Sequence, residues 1–269
     1  MKVDGKVLAV TGGGNGIGRA LVLDLLRRGA RVAALDRDPQ ALEETRRLAG
    51  DRAGRLSTHL ADVTDAEAVD ALPGDVIAAH GQVDGLVNCA GVIQPFVRFL
   101  ELDRAAMERV MDVNFWGVVN TTRTFLPHLL KRPEGHVVNV SSMGGFLPVP
   151  GQTLYGASKA AVRLLSEGLY AELLGTSVRV TVVFPGAVAT NITVNSGVTA
   201  PGRPEPGATE TAHQMLGADE AARVILDAVE RDAFRVTVGK DATVMDRLSR
   251  YAPRRAVHLI AEKMKDLLG

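Results

Sequence analysis

Tyr155 and Lys159 stand four residues apart in Tyr155-Gly156-Ala157-Ser158-Lys159, a spacing that sets phenol and ammonium side by side on one face of a helix. Such a pair can turn a tyrosine into a base. A free phenol titrates near about 10 and is idle at neutral pH, whereas a fixed neighbouring cation favours the phenolate, each pKa unit needing only about 1.4 kcal/mol. Taken singly, such residues are bland: a helical tyrosine is ordinarily core or surface, and a lysine one turn on is ordinarily solvated. Ser141-Ser142 could merely turn the chain and Asn114 could be a polar helix residue. Their occurrence together, behind a glycine-rich turn, is what points to chemistry.

That turn is Thr11-Gly12-Gly13-Gly14-Asn15-Gly16-Ile17-Gly18, between an apolar run and a helical pattern. Gly12, Gly14, Gly16 and Gly18 allow a tight turn that brings backbone N–H groups and a helix N-terminus against a pyrophosphate. No Gly-Lys-Ser/Thr follows, which removes a P-loop; a ligand-free connection remains compatible with the turn alone. Asp36 closes the second strand, where an acidic residue meets the ribose of a dinucleotide. Its carboxylate can accept from both ribose hydroxyls and would repel the extra phosphate of NADP, so NAD is favoured over NADP. Arg37 is the counter-argument, since it can turn toward a phosphate, while Asn15 leaves the turn itself without a cation. Asp62 and Val63, ending the third strand, are placed to meet the adenine. Asn88, Ala90 and Gly91 end the fourth beside the cofactor, where small residues permit close approach.

The elements that must hold these residues alternate. Short β-branched runs over 7–10, 31–36, 56–60, 85–88, 136–140, 178–184 and 235–239 are separated by helical patterns over 16–28, 40–48, 65–80, 104–130, 153–174 and 219–231. Parallel strands covered on both faces read as continuous apolar runs, so the expected fold is α/β: a single Rossmann-type doubly wound domain with a seven-stranded parallel sheet and helices on both faces. The domain spans 1–240, and 241–269 forms a helical extension of it. Residues 190–217, rich in Pro and Gly, break the alternation at the carboxyl end of the sheet and are expected to be a substrate lid. In the extension, Val257, Ile260, Met264, Leu267 and Leu268 recur at helical spacing opposite Glu262, Lys263 and Lys265. Packing on the protein body or a neighbour is expected of that stripe, not membrane association, because cations are few and no large aromatic lies on the apolar side.

Composition narrows the partners. At 269 residues and 46% hydrophobic the chain can bury one large core, and 31 basic against 31 acidic side chains leave no net field to draw nucleic acid. A single cysteine, Cys89, excludes an internal disulfide framework and a CxxC knuckle, and it is expected to be small and buried. The first strand begins at once, with no apolar segment ahead of it and no stretch of about 18 apolar residues anywhere, so a cytoplasmic location is expected. The six histidines have no ligand spacing, and no metal site is assigned.

From Lys6 to about Gly239 the chain resembles the short-chain dehydrogenase/reductase family. The resemblance rests on the turn at 11–18, Asn88-Cys89-Ala90-Gly91, Asn114 within Val113-Asn114-Phe115-Trp116-Gly117, Ser142, the Tyr155 to Lys159 segment, and Pro185-Gly186 followed by Thr190. Cys89 departs from the second asparagine often found there, conservatively in size. The resemblance implies that Tyr155 is the general acid/base, exchanging a proton with the substrate oxygen while hydride moves between substrate and nicotinamide. Lys159 would bind the nicotinamide ribose and lower the phenol pKa, and Ser142 would hydrogen-bond the substrate oxygen. Asn114 would hold a water linking Lys159 to solvent, distorting its own helix. Backbone from Pro185 and Gly186 to Val188, with the Thr190 hydroxyl, would meet the carboxamide. It further implies a homodimer or homotetramer paired through helices 104–130 and 153–174.

Val92, Ile93, Phe96, Met143, Phe146, Leu147, Val149 and Leu154 are expected to line an apolar substrate pocket, with Arg98 the nearest cation. The expected substrate is therefore a hydrophobic secondary alcohol or its ketone. A non-catalytic redox sensor is the alternative, against which Ser142, Tyr155 and Lys159 argue. An epimerase or dehydratase generally carries a larger C-terminal substrate domain.

Overall fold

Runs of Val, Leu and Ala that are apolar on both sides need cover on both sides. The computed structural model, which describes residues 1–199 and 215–265, supplies it with two helical layers. Seven strands, β1 (Val7–Thr11), β2 (Arg31–Asp36), β3 (Leu56–Leu60), β4 (Gly85–Asn88), β5 (Gly135–Val140), β6 (Val178–Pro185) and β7 (Arg235–Val238), form one wholly parallel sheet. Their order is β3-β2-β1-β4-β5-β6-β7. The order reverses between β1 and β4, which opens a crevice at the carboxyl ends of those two strands.

Helices α1 (Gly16–Arg27) and α2 (Pro39–Ala49) cover one face together with α8 (Ala218–Glu230). Leu21, Leu25, Leu42, Ile225 and Val229 pack there on Val10, Val32 and Val138. On the other face α3 (Ala66–His80), α5 (Gly117–Leu129) and α6 (Thr153–Glu172) set Val69, Leu72, Phe125, Leu129 and Leu169 on Ala33, Leu86 and Val137. Each fully buried Leu or Phe stabilises the fold by about 1.5–3 kcal/mol relative to exposure. Asp38 starts α2 by accepting from the Gln40 and Ala41 N–H groups, with Pro39 in the first turn, so the chain leaves β2 along a defined path that fixes Asp36.

Three elements carry detail that periodicity alone does not give. The helix over 104–130 divides into α4 (Arg104–Met111) and α5, joined by a π-helical turn, Asp112–Trp116, that contains Asn114. Residues 190–217 are described only at their ends. There Val188–Ala189 pairs in parallel with Leu216–Gly217, and a short helix, α7 (Ile192–Ser196), follows Thr190; positions 200–214 of the expected lid lie outside the described residues. The extension is a helical hairpin, α9 (Lys240–Tyr251) and α10 (Pro253–Lys263), in which Ala256 and Ile260 are buried and Val257 faces solvent. Leu267 and Leu268 also lie outside the described residues. No helix among the described residues is long and apolar enough to cross a membrane.

Candidate active site

The crevice is built from β1 outward. Gly18 stands one turn into α1, where an added Cβ would lie 2.0 Å from the Gly12 carbonyl oxygen, so strand end and helix start close on each other to a distance only glycine allows. Gly12 itself has φ +69°, a left-handed conformation, and a Cβ there would meet the Ala90 backbone at 3.0 Å. Thr11, at the end of β1, accepts through Oγ1 from the N–H groups of Cys89 and Ala90 at 3.0 and 3.1 Å, binding the ends of β1 and β4 together. Above this joint α1 opens with Asn15 at its N-cap, and Asn15 makes no side-chain cap bond. The first-turn N–H groups of α1, with no acidic residue in that turn, therefore face the crevice as an anion site.

At the β2 end, Asp36 accepts from Gly14 N–H at 2.9 Å through Oδ2 and from Asp38 N–H at 3.1 Å through Oδ1. These bonds orient the carboxylate toward the crevice and leave each oxygen a lone pair for a hydroxyl donor. Arg37, Asp62 and Val63 line the same end. The cavity of about 320 Å3 runs from there past Ala90, Gly91 and Val92 to Ser142, Tyr155 and Lys159, with Pro185, Gly186, Val188 and Thr190 on the far side. Asn191, Ile192 and Asn195 on and beside α7 also line it.

At the reacting end Lys159 is only 4% exposed and donates from Nζ to the Val140 carbonyl at 3.1 Å. Burial lowers its pKa to about 8. The Tyr155 phenol is pushed above its ordinary value, because burial outweighs the hydrogen bond with Ser142 that pulls it down. Lys159 is not among the groups that shift the phenol of the protein alone, so a Lys159-lowered phenol stays an expectation for the complex with cofactor. Ser142 accepts from Gly144 N–H at 3.0 Å, which directs its hydroxyl toward the phenol.

The lysine value has a consequence for stability. Between about 8 in the folded chain and 10.5 unfolded, the unfolded state binds more protons at this site, so its contribution to stability rises with pH across that window and is lost as pH falls through 8. Stability measured by urea unfolding from pH 7 to 10 should therefore rise in the wild type relative to Lys159→Met. A constant difference between the two would mean the ammonium is not desolvated.

Three of the expected site residues stand behind the walls. Asn114 is fully buried: its Oδ1 accepts from Val92 N–H at 2.8 Å, and its Nδ2 donates to the Val92 carbonyl at 2.9 Å and to Ser158 Oγ at 3.1 Å. Gly14 braces Asp36 instead of facing the cavity. Asn88, expected beside the cofactor, turns into the interior, where it donates to Thr122 Oγ1 and Asn139 Oδ1 and accepts from Thr121; the strand pleat puts its side chain toward α5. Cys89, expected in the core, lines the cavity half-buried, and desolvation raises its thiol to about 12, which leaves it unreactive. Of the expected apolar wall, Val92 alone lines the cavity. Met143, Phe146 and Leu147 pack instead with Met245, Ala256 and Ile260 of the C-terminal hairpin.

Sequence reasoning also passed over Gln94. It is 1% exposed, and its Oε1 accepts from the N–H groups of Leu154 and Tyr155 at the start of α6. Nothing local in the sequence marks it, since it meets α6 across 60 residues of chain.

An uncapped helix start over a glycine joint, a ribose-height carboxylate and a Ser-Tyr-Lys cluster with a buried lysine in one cavity fit a nicotinamide dinucleotide. Comparison with known proteins agrees. Residues 6–200 match the family described as short chain dehydrogenase. SadH of Mycobacterium tuberculosis, an oxidoreductase by name, is 38% identical over 266 residues, covering 96% of this chain and 95% of its own. The 3-oxoacyl-[acyl-carrier-protein] reductase FabG of Thermotoga maritima is 36% identical over 195 residues, 72% of this chain and 78% of its own. Among solved structures, a short chain dehydrogenase/reductase of Burkholderia phymatum in complex with NAD superposes with a TM-score of 0.82 at 29% identity, covering 95% of this chain and 96% of that one. A short chain dehydrogenase of Burkholderia cenocepacia in complex with NADP gives 0.80 at 29%, with 97% and 99% covered.

Proposed function

The chain belongs to the short-chain dehydrogenase/reductase family of oxidoreductases, and from that premise we propose that it interconverts a hydrophobic secondary alcohol and its ketone, with NAD preferred to NADP. The observation that carries the reading is the cluster of Ser142, Tyr155 and the buried Lys159 at the far end of the cavity from Asp36. The nicotinamide, when bound, supplies the hydride acceptor or donor. Tyr155 Oη gives a proton to the ketone oxygen or takes one from the alcohol, and Ser142 Oγ donates a hydrogen bond to that oxygen as charge develops. Lys159 would meet the nicotinamide ribose and place its positive charge beside the phenol. Asp36, already oriented by Gly14 and Asp38, supports NAD, because an extra phosphate there would meet a carboxylate.

Change in nicotinamide absorbance at neutral and alkaline pH, with NAD and NADP separately, against a panel of hydrophobic secondary alcohols and ketones tests the reading. Turnover with NAD above that with NADP is expected. Equal rates would show Arg37 outweighing Asp36. Tight cofactor binding without turnover across the panel would favour dinucleotide sensing.

A homo-oligomer belongs to the same reading. Trp116 and Leu164, on the π turn and on α6, are 52% and 70% exposed, an apolar surface of the kind a second copy covers. Light scattering at micromolar concentration should give the mass of two or four chains; a single-chain mass would remove this part of the proposal.

A further inference from the structure

We propose that Gln94 is a positioning residue for Tyr155, holding the start of the catalytic helix through bonds that reach across from the loop after β4. This rests on reading Tyr155 as the acid/base.

Helix α6 begins at Thr153, and its N-cap residue, Gln152, makes no cap bond to it. The first N–H groups of a helix need an acceptor, and a buried helix start without one is costly. Gln94 supplies it. Oε1 accepts from Leu154 N–H at 2.8 Å and from Tyr155 N–H at 3.0 Å. Nε2 donates to the Gly151 carbonyl at 2.9 Å, and the Gln94 carbonyl accepts from Gln152 Nε2 at 2.8 Å. Every polar atom of that side chain is thus bonded to the segment carrying Tyr155, and the side chain is almost wholly shielded from water.

A second chain of bonds closes the circuit. Asn114 clamps Val92, two residues before Gln94, through both backbone groups, and Asn114 Nδ2 also donates to Ser158 Oγ. Ser158 in turn donates to the Tyr155 carbonyl at 2.7 Å. The Tyr155 backbone is therefore held at its N–H by Gln94 and at its C=O through Ser158 and Asn114, both fixed to residues 92–94. A tyrosine that must deliver a proton within hydrogen-bond reach gains from a main chain that cannot slide, because a misplacement of about 1 Å can cost two orders of magnitude in rate.

Two substitutions separate positioning from mere packing. Gln94→Met keeps the volume and removes all the side-chain bonds. Gln94→Glu keeps the acceptor for both N–H groups, and in so dry a site its second oxygen, facing the Gly151 carbonyl, holds a proton and donates as Nε2 does, so this variant restores the hold. The experiment measures kcat, KM, cofactor affinity and melting temperature for both variants beside wild type and Tyr155→Phe. In addition, phenolate absorbance of the cofactor-free proteins is titrated, the Tyr155 signal being the difference from Tyr155→Phe.

Gln94→Met should lower kcat about tenfold with cofactor affinity unchanged. Gln94→Met should also move the Tyr155 midpoint, and the matching limb of the pH–rate profile, upward, because a shifted main chain weakens the Ser142 hydrogen bond that pulls it down, while Gln94→Glu should keep both near wild type. A Gln94→Met protein that melts earlier yet keeps kcat and the Tyr155 midpoint would overturn the proposal and leave Gln94 a structural cap. If Gln94→Met fails to fold, Gln94→Asn, which keeps an amide one methylene too short to reach both N–H groups, is read by the same kcat and midpoint. No turnover in the wild type would count against the proposed function, whereas an unmoved Tyr155 midpoint in folded Gln94→Met, or in Gln94→Asn where that is the variant that folds, counts against Gln94.

Discussion

Tyr155→Phe is expected to lower turnover by about 10²- to 10⁴-fold while leaving cofactor affinity within a small factor. The phenol sits in the cavity wall with its ring against Gly144, where an added Cβ would stand 3.3 Å from Tyr155 Cε1, so removing one oxygen alters no packing. What it removes is the proton relay at Oη and the hydrogen bond with Ser142. Burial holds the phenol of the protein alone protonated at neutral pH, which suits it to donate to a ketone. Accepting from an alcohol requires the phenolate, so oxidation should rise with pH toward the phenol's own titration, and reduction should fall over the same range. Measured kcat/KM in both directions against pH checks this. Survival of turnover within about tenfold in Tyr155→Phe would show that another group moves the proton.

How much of this was readable beforehand depended on whether a residue's role is local. The strands announced themselves as apolar runs, and the helices between them by period, so a doubly wound sheet of seven parallel strands was legible, while their order comes from the structure. Tyr155 and Lys159 were legible because four residues along a helix fix a shared face whatever surrounds it. Burial is not a property of spacing: neighbouring charge was visible in the sequence, and the desolvation that raises the phenol of the protein alone was not. Asn88 failed for a related reason. In a strand buried on both faces, nothing in the sequence says which side chain meets the cofactor and which meets α5. Phe146 and Leu147 were read as pocket wall because an apolar residue near a site looks the same whether it faces substrate or a helix arriving 100 residues later. The π turn at Asp112–Trp116 leaves no mark in the periodicity of 104–130 and was expected only through the family resemblance, which implied that Asn114 distorts its own helix.

Gly18→Ala should weaken cofactor binding by about 100-fold or more, because the methyl group has nowhere to go. Its Cβ would stand 2.0 Å from the Gly12 oxygen and 2.6 Å from the Gly12 carbonyl carbon, both backbone atoms that no rotamer change can clear. The contact is relieved only if α1 lifts from the end of β1 or the turn opens. Either movement withdraws the first-turn N–H groups from the position where Asn15, making no cap bond of its own, leaves them for a pyrophosphate. Overpacking of about 1–3 kcal/mol would be shared between a less stable fold and a displaced cradle, and each 1.4 kcal/mol falling on binding is tenfold in affinity. Losing the helix-start donors to a doubly charged pyrophosphate adds charge-assisted hydrogen bonds to that total. Calorimetric titration of NAD into Gly18→Ala, set beside its melting temperature, separates the two shares. Unchanged affinity in a folded variant would mean that the pyrophosphate does not lie over this turn, and the dinucleotide would then have to be placed elsewhere along the cavity from Asp36 to Lys159.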